Sequence, residues 1–246
     1  MRPLVTAIRT LTLLPVPGRD SDRLASALPF FPAIGVFIGA LVVFSLYLAS
    51  LSGWLAGAGV IAMILSVWIT RGLHVDGLAD VMDALGASRT RERRLEIMKD
   101  PHTGAFGVIA IVADLLLKAV ALTHLAALGQ WSLALIPFIV SRSAQVLLAT
   151  TLPYARQEGG KAAAFVQDAR PYHLVLALAA ATAFCLATSG LTGLLILLQG
   201  LIIACLLRLW MKHHFGGVTG DLLGASNEII ETGLLTFTAF ITTVGT

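Results

Sequence analysis

Charge is what this chain has least of. Asp, Glu, Lys and Arg make up 13% of its 246 residues, against about 25% in an ordinary soluble domain. With 57% hydrophobic residues and a mean hydropathy of +0.86, the deficit excludes a water-soluble globule and leaves an integral membrane protein. Cysteine is scarce too. Cys185 and Cys205 stand in apolar runs without C-x-x-C spacing, which argues against a disulfide framework and a zinc site. No G-K-[ST] accompanies the glycines of 216–224, so there is no Walker A loop. Near the N-terminus, Pro15 and Pro17 interrupt the short apolar run from Leu11 and no A-x-A-like cleavage site follows; Met1 to Leu14 reads as an interfacial or packed helix.

What is present is a succession of apolar runs. Taking about 17 to 25 residues as one crossing, spans are expected at Leu28–Leu51, Trp54–Thr70, Gly107–Leu128, Ser132–Leu152, Leu174–Leu191, Leu194–Met211 and, shorter, Ile229–Val244. The expected fold is therefore an all-α polytopic helix bundle of about seven transmembrane helices, six to eight, forming a single transmembrane domain over 1–246. Its non-spanning parts are an N-terminal segment (1–27), an acidic motif followed by a basic helix (71–106) and a Gly-rich acidic motif (208–228). Of the seventeen Lys and Arg residues, only Lys118 and Arg142 fall well inside spans, Arg208 standing at the inner end of Leu194–Met211. With the N-terminus in the cytosol, all the others, Arg156, Lys161 and Arg170 among them, fall in inner segments. The outer connections around Ser52, Gln130 and Thr192 carry no charge, which is the positive-inside pattern. Both acidic stretches then face the cytosol.

The chain is organised around the first of these, RGLHVDGLADVMDALG at Arg71 to Gly86. On a helix, Asp76, Asp80 and Asp83 stand at i, i+4 and i+7, within about 60° of one another. Acids gathered on one face raise each other's pKa unless a divalent cation keeps them ionised. Oxygen-only ligands favour Mg²⁺, with Mn²⁺ as the alternative, over Zn²⁺; the bland reading is a solvated helix face. His74 is two residues before Asp76 and points about 160° away on a helix, which suits a proton acceptor, a ligand-orienting group or a turn residue. The second stretch, GGVTGDLLGASNEIIE at Gly216 to Glu231, places Asp221 and Glu228 on one helical face behind a Gly-rich turn. It is either a flexible turn before the last span or the other half of one metal cage.

Three ionisable residues lie inside spans, where each costs about 2.5 to 3.5 kcal/mol on insertion scales and should find a partner. Asp114 and Lys118 at i, i+4 can neutralise one another. Arg142 has no acid near it in sequence, so its planar fork is a candidate for gripping substrate phosphate. The basic helix SRTRERRLEIMKD is expected to pack Leu95 and Met98 on the bundle and turn its arginines to lipid headgroups or to a pyrophosphate.

HVDGLADVMD at His74 to Asp83 resembles the signature H-x-D-G-L-A-D-x-x-D of the cobalamin synthase family, the adenosylcobinamide-GDP ribazoletransferases. LEIMKD at Leu95 to Asp100 with Gly104 and Gly107, the Ser141-Arg142 pair, Tyr154-Ala155-Arg156 and GGVTGDLLGA with Glu228 resemble further family segments in family order. The resemblance implies a Mg²⁺-dependent enzyme of a bacterial inner membrane with a cytosolic active site. It would join adenosylcobinamide-GDP to α-ribazole or its 5′-phosphate with release of GMP. It further implies that Asp76, Asp80, Asp83, Asp221 and Glu228 bind metal, that Lys118, Arg142 and Arg156 hold phosphate, and that Asp83 or His74 takes the hydroxyl proton. An oligomer is possible and no nucleic-acid partner is expected. Competing readings are a CDP-alcohol phosphotransferase, whose D-G-x-x-A-R start is not met; a membrane prenyltransferase, whose second D-x-x-x-D is missing because Ala225 sits four residues after Asp221; and a cation transporter, which needs its acids near the bilayer midplane.

Overall fold

The computed structural model describes residues 1–160 and 162–244; Lys161, expected in an inner loop, lies outside them. The apolar runs fold as helices: α1 (Arg2–Leu11), a 3-10 segment (Leu24–Phe30), α2 (Phe31–Ser50), α3 (Leu55–Ile69), α4 (Leu73–Ala87), α5 (Arg91–Ile97), α6 (Ala105–Ala127), α7 (Trp131–Thr151), α8 (Ala163–Gln167), α9 (Pro171–Phe215) and α10 (Gly220–Val244). Among the described residues there is no β-strand, only one bridge between Tyr154 and Val218.

Burial is inverted relative to a soluble protein. Phe44, Leu116, Val120 and Leu206 are exposed, whereas Lys118, Arg142 and Glu231 are each about 1% exposed. That arrangement suits a chain whose outer solvent is hydrocarbon and whose polar groups must find partners inside. The central element is α7, with 83% of its most apolar stretch inside the protein. It packs on α2, α9 and α10.

Four stretches are long and apolar enough to cross a membrane, Leu24–Ser50, Ala105–Ala127, Trp131–Thr151 and Pro171–Phe215, or five if α3 and α4 are taken together. Seven crossings are thus not confirmed, for two physical reasons. The helix α9 is broken at Ser189 and Gly190, both outside helical φ/ψ. The break is sharp: Gly193 lies against the Cys185 carbonyl oxygen, although a straight helix would hold residues eight apart about 12 Å from one another. The expected turn at Thr192-Gly193 therefore falls three residues earlier. For its part, α10 is too polar to count, because it carries Asp221, Glu228 and Glu231. The two glutamates are nonetheless buried against protein, so lipid does not meet them.

Two consecutive left-handed residues, Arg71 (φ +56°) and Gly72 (φ +67°), separate α3 from α4 and turn the chain by 87°. A helix at a right angle to α3 adds almost nothing to its reach, so α4 turns away from α3 instead of prolonging it. Leu95 and Met98 of the basic segment pack on the core. Arg94 meanwhile lies over the Phe215 ring at 5.9 Å.

Candidate active site

Glycine decides where the acidic helix goes. A Cβ at Gly77 would stand 2.6 Å from the carbonyl oxygen of Asp221, and one at Gly224 would stand 3.2 Å from His74 Cα. Thus α4 and α10 cross with their backbones in contact, and the crossing sets Asp76 and Asp80 beside Asp221. Asp80 is half-buried. Burial, together with the negative charges of Asp221 and Asp76, pushes its carboxyl up to about 7. Burial also raises Asp221, against the pull of Arg156, whose Nη2 donates to Asp221 Oδ2 at 2.7 Å.

A two-bond bridge positions that arginine. The Val218 amide donates to the Pro153 carbonyl and the Ala155 amide to the Val218 carbonyl, both at 2.9 Å, which pins the 153–156 loop to the start of α10. Asp76, Asp221, Arg156, Tyr154, Arg9 and Arg71 then line a cavity of about 1030 Å³, and Leu28, Phe31, Val67 and Phe165 form apolar parts of its wall.

Apart from His74, the other expected site residues lie elsewhere. Asp83 accepts the Gly104 amide at 2.7 Å and the Gly107 amide at 2.8 Å, one on each oxygen. It caps α6 from another helix, and the two glycines leave room for it. Glu228 shares a face with Asp221 but stands about 10 Å further along α10. There Lys118 Nζ meets Glu228 at 2.5 Å, Glu231 at 2.9 Å and Asp114 at 3.8 Å. Arg142 pairs with Glu231. This buried network holds Lys118, Arg142 and Glu228 together, and none of the three lines the cavity. His74 does line it, buried, with both ring nitrogens lacking a hydrogen-bond partner and Nδ1 3.9 Å from Glu228. Glu231 was not singled out from the sequence. Its only signal is its place one helical turn after Glu228, and its arginine is 89 residues away.

Among the described residues no three His, Cys, Asp or Glu side chains converge closely enough to cage an ion as they stand. Mg²⁺ rarely needs such a cage. It is usually held by one or two carboxylates, with waters and substrate phosphates completing its octahedron. The crowding that raises Asp80 is the electrostatic condition a cation relieves, so Asp76, Asp80 and Asp221 fit a hard divalent ion and Glu228, matched to Lys118, does not.

Fold and site together define an all-α membrane protein with a cavity lined by carboxylates and arginines, the composition suited to an anionic substrate held beside a cation. Comparison with known proteins is more specific: the chain belongs to the cobalamin-5-phosphate synthase family, whose model matches residues 3–239. It is similar to the adenosylcobinamide-GDP ribazoletransferase of Chlorobaculum parvum, 45% identical over 93% of this chain and 91% of the relative. The enzyme of the same name from Chlorobium phaeobacteroides is 44% identical, with 94% of each chain covered. That from Syntrophobacter fumaroxidans is 38% identical over 95% of this chain and 96% of the relative. No solved structure matches.

Proposed function

We infer that this protein is the adenosylcobinamide-GDP ribazoletransferase of its family, joining adenosylcobinamide-GDP to α-ribazole or its 5′-phosphate. A ribose hydroxyl attacks the phosphorus that bears the cobinamide arm, the bond from that phosphorus to the bridging oxygen of the diphosphate breaks, and GMP leaves with that oxygen. The hydroxyl proton is lost. The observation that carries this reading is the α4–α10 crossing at Gly77 and Gly224, which gathers Asp76, Asp80 and Asp221, with Asp76 and Asp221 lining a cavity that also presents arginine.

Asp76, Asp80 and Asp221 would hold Mg²⁺, or Mn²⁺ in its place, and the ion would neutralise charge on the diphosphate and the departing phosphate. Arg156 keeps Asp221 in place and offers its remaining donors to phosphate oxygens. His74, without a hydrogen-bond partner on either nitrogen, is freer than Asp83 to accept the hydroxyl proton, because both Asp83 oxygens are engaged by backbone amides, although burial and the charge of Arg142 push the imidazole down to about 3 and make it a weak base. Lys118 and Arg142 act on substrate only indirectly, through Glu228 and Glu231. The site faces the cytosol of a bacterial inner membrane, as the partition of basic residues favours.

Product analysis on the full-length chain in lipid vesicles tests the reading. GMP should appear only when both adenosylcobinamide-GDP and α-ribazole (or its 5′-phosphate) are present, with a divalent cation. Release of inorganic diphosphate, or GMP formation indifferent to ribazole, would overturn it.

A further inference from the structure

Arg71 is, among the described residues, the one residue other than glycine with a positive φ, at +56°. The bend between α3 and α4 needs two left-handed residues. Gly72 supplies one without steric penalty, and Gly or Asn at the other position would be less strained than arginine. Strain of this kind persists where the side chain is needed and the surroundings hold it.

Its surroundings indicate what the side chain is for. Arg71 is exposed and lines the cavity that Asp76 and Asp221 also line. The other two arginines there each have a carboxylate partner. Arg9 donates to the Val16 carbonyl at 3.0 Å, the Gly18 carbonyl at 2.9 Å and Asp20 at 3.4 Å, and Arg156 to Asp221 and the Met98 carbonyl. Arg71 gives one hydrogen bond, from Nη2 to the Arg9 carbonyl at 3.1 Å, and no described carboxylate pairs with it. A guanidinium without a counter-ion, at a cavity whose two carboxylates are Asp76 and Asp221, is the open position for an anion whose oxygens fit its fork.

We propose that Arg71 is a substrate-binding residue whose guanidinium grips the diphosphate of the nucleotide-linked substrate in this cavity. The proposal rests on the ribazoletransferase reading and adds to it a phosphate-binding residue in the cavity where Lys118 and Arg142 are absent. Asp76, Asp80 and Asp221 would hold a cation that neutralises the diphosphate, while Arg71 grips it and fixes the phosphorus for attack.

The test uses the full-length protein in vesicles with Arg71→Asn and Arg71→Gly, both of which accept the left-handed backbone, and with Arg71→Lys. In the Asn and Gly variants the KM for adenosylcobinamide-GDP should rise about tenfold or more. The KM for α-ribazole should stay within about twofold, and the Tm should not fall below that of wild type. Lys should restore part of the loss, since it returns the charge without the fork. An unchanged KM with a lowered Tm would make Arg71 a structural tie to α1 and overturn the proposal. So would equal rises in both KM values, or an unchanged KM with loss of the stabilisation given by anionic lipid, which would assign the guanidinium to a headgroup. If wild type itself releases no GMP with ribazole, the ribazoletransferase reading fails first and the proposal with it. If wild type turns over and the Asn and Gly variants match it, only the role of Arg71 fails.

Discussion

Two aspartates three residues apart on one helix, Asp80 and Asp83, should respond oppositely to the same substitution. In Asp83→Asn the amide keeps one acceptor where two amide donors, those of Gly104 and Gly107, need one each. Melting should therefore fall by an amount corresponding to about 1 to 2 kcal/mol, the usual range for a lost cap or a buried unmade hydrogen bond. Asp80→Asn removes a like charge from a crowded set, so the metal-free variant should melt no lower than metal-free wild type. The two can be separated further by pH. With its carboxyl pushed up to about 7 from the ordinary 3.8 by burial and its acidic neighbours, Asp80 contributes stability that is fully present below about pH 3.8 and is lost as pH rises through 7. In EDTA, the Tm difference between Asp80→Asn and wild type should grow in the variant's favour over that window. A flat difference across a pH series of melting curves would contradict the crowding of Asp80 by Asp76 and Asp221.

Elements meet where glycine lets them, and substitutions that look alike in sequence should therefore diverge. Gly77→Ala gains about 1 kcal/mol of helix propensity, but its methyl group would meet backbone atoms of Asp221 at 2.6 and 3.0 Å, an overpacking that typically costs about 1 to 3 kcal/mol. The net effect should be a lowered Tm and a large loss of activity, since the carboxylates of α4 and α10 separate. Gly233→Ala on α10, with nothing within 4 Å of its Cβ, should raise the Tm and leave turnover unchanged; thermal melts and initial rates of both variants check the pair. Most of the helices were legible to within a few residues, because apolar runs bounded by Gly and Pro carry that information; α10 begins at Gly220, nine residues before the expected Ile229, because its first turns are too polar to read as a span. The site was legible only in part. Spacing of i, i+4 and i+7 gives a shared face and says nothing of depth, so Glu228 was grouped with Asp221 although it pairs two turns further on with Lys118. Spacing is equally silent about partners on other helices: Asp83 turns to the start of α6, and Arg142 finds Glu231 from a distant part of the chain.

At the scale of the whole molecule, two polar systems occupy one apolar bundle and have different work. The deep one, Lys118, Arg142, Glu228 and Glu231, joins α6, α7 and α10 and lets three charged helices be packed together away from lipid. The shallower one, at the α4–α10 crossing, keeps like charges together with Arg156 as the counter-ion of Asp221, an arrangement that suits a bound cation better than a resting fold. Hydropathy reads the first system as a defect in α10 and leaves that helix out of the candidate spans; it is blind to the second, which depends on how two helices cross. The division makes Asp80→Asn the most direct measurement. In reconstituted full-length protein, ribazole-dependent GMP release should be abolished, and the rise in Tm that Mg²⁺ gives wild type should be much reduced in the variant, because the amide brings no negative charge to the ion. An Asp80→Asn protein that releases GMP at the wild-type rate, with the full Mg²⁺-induced rise in Tm, would contradict the placing of the reaction at this crossing.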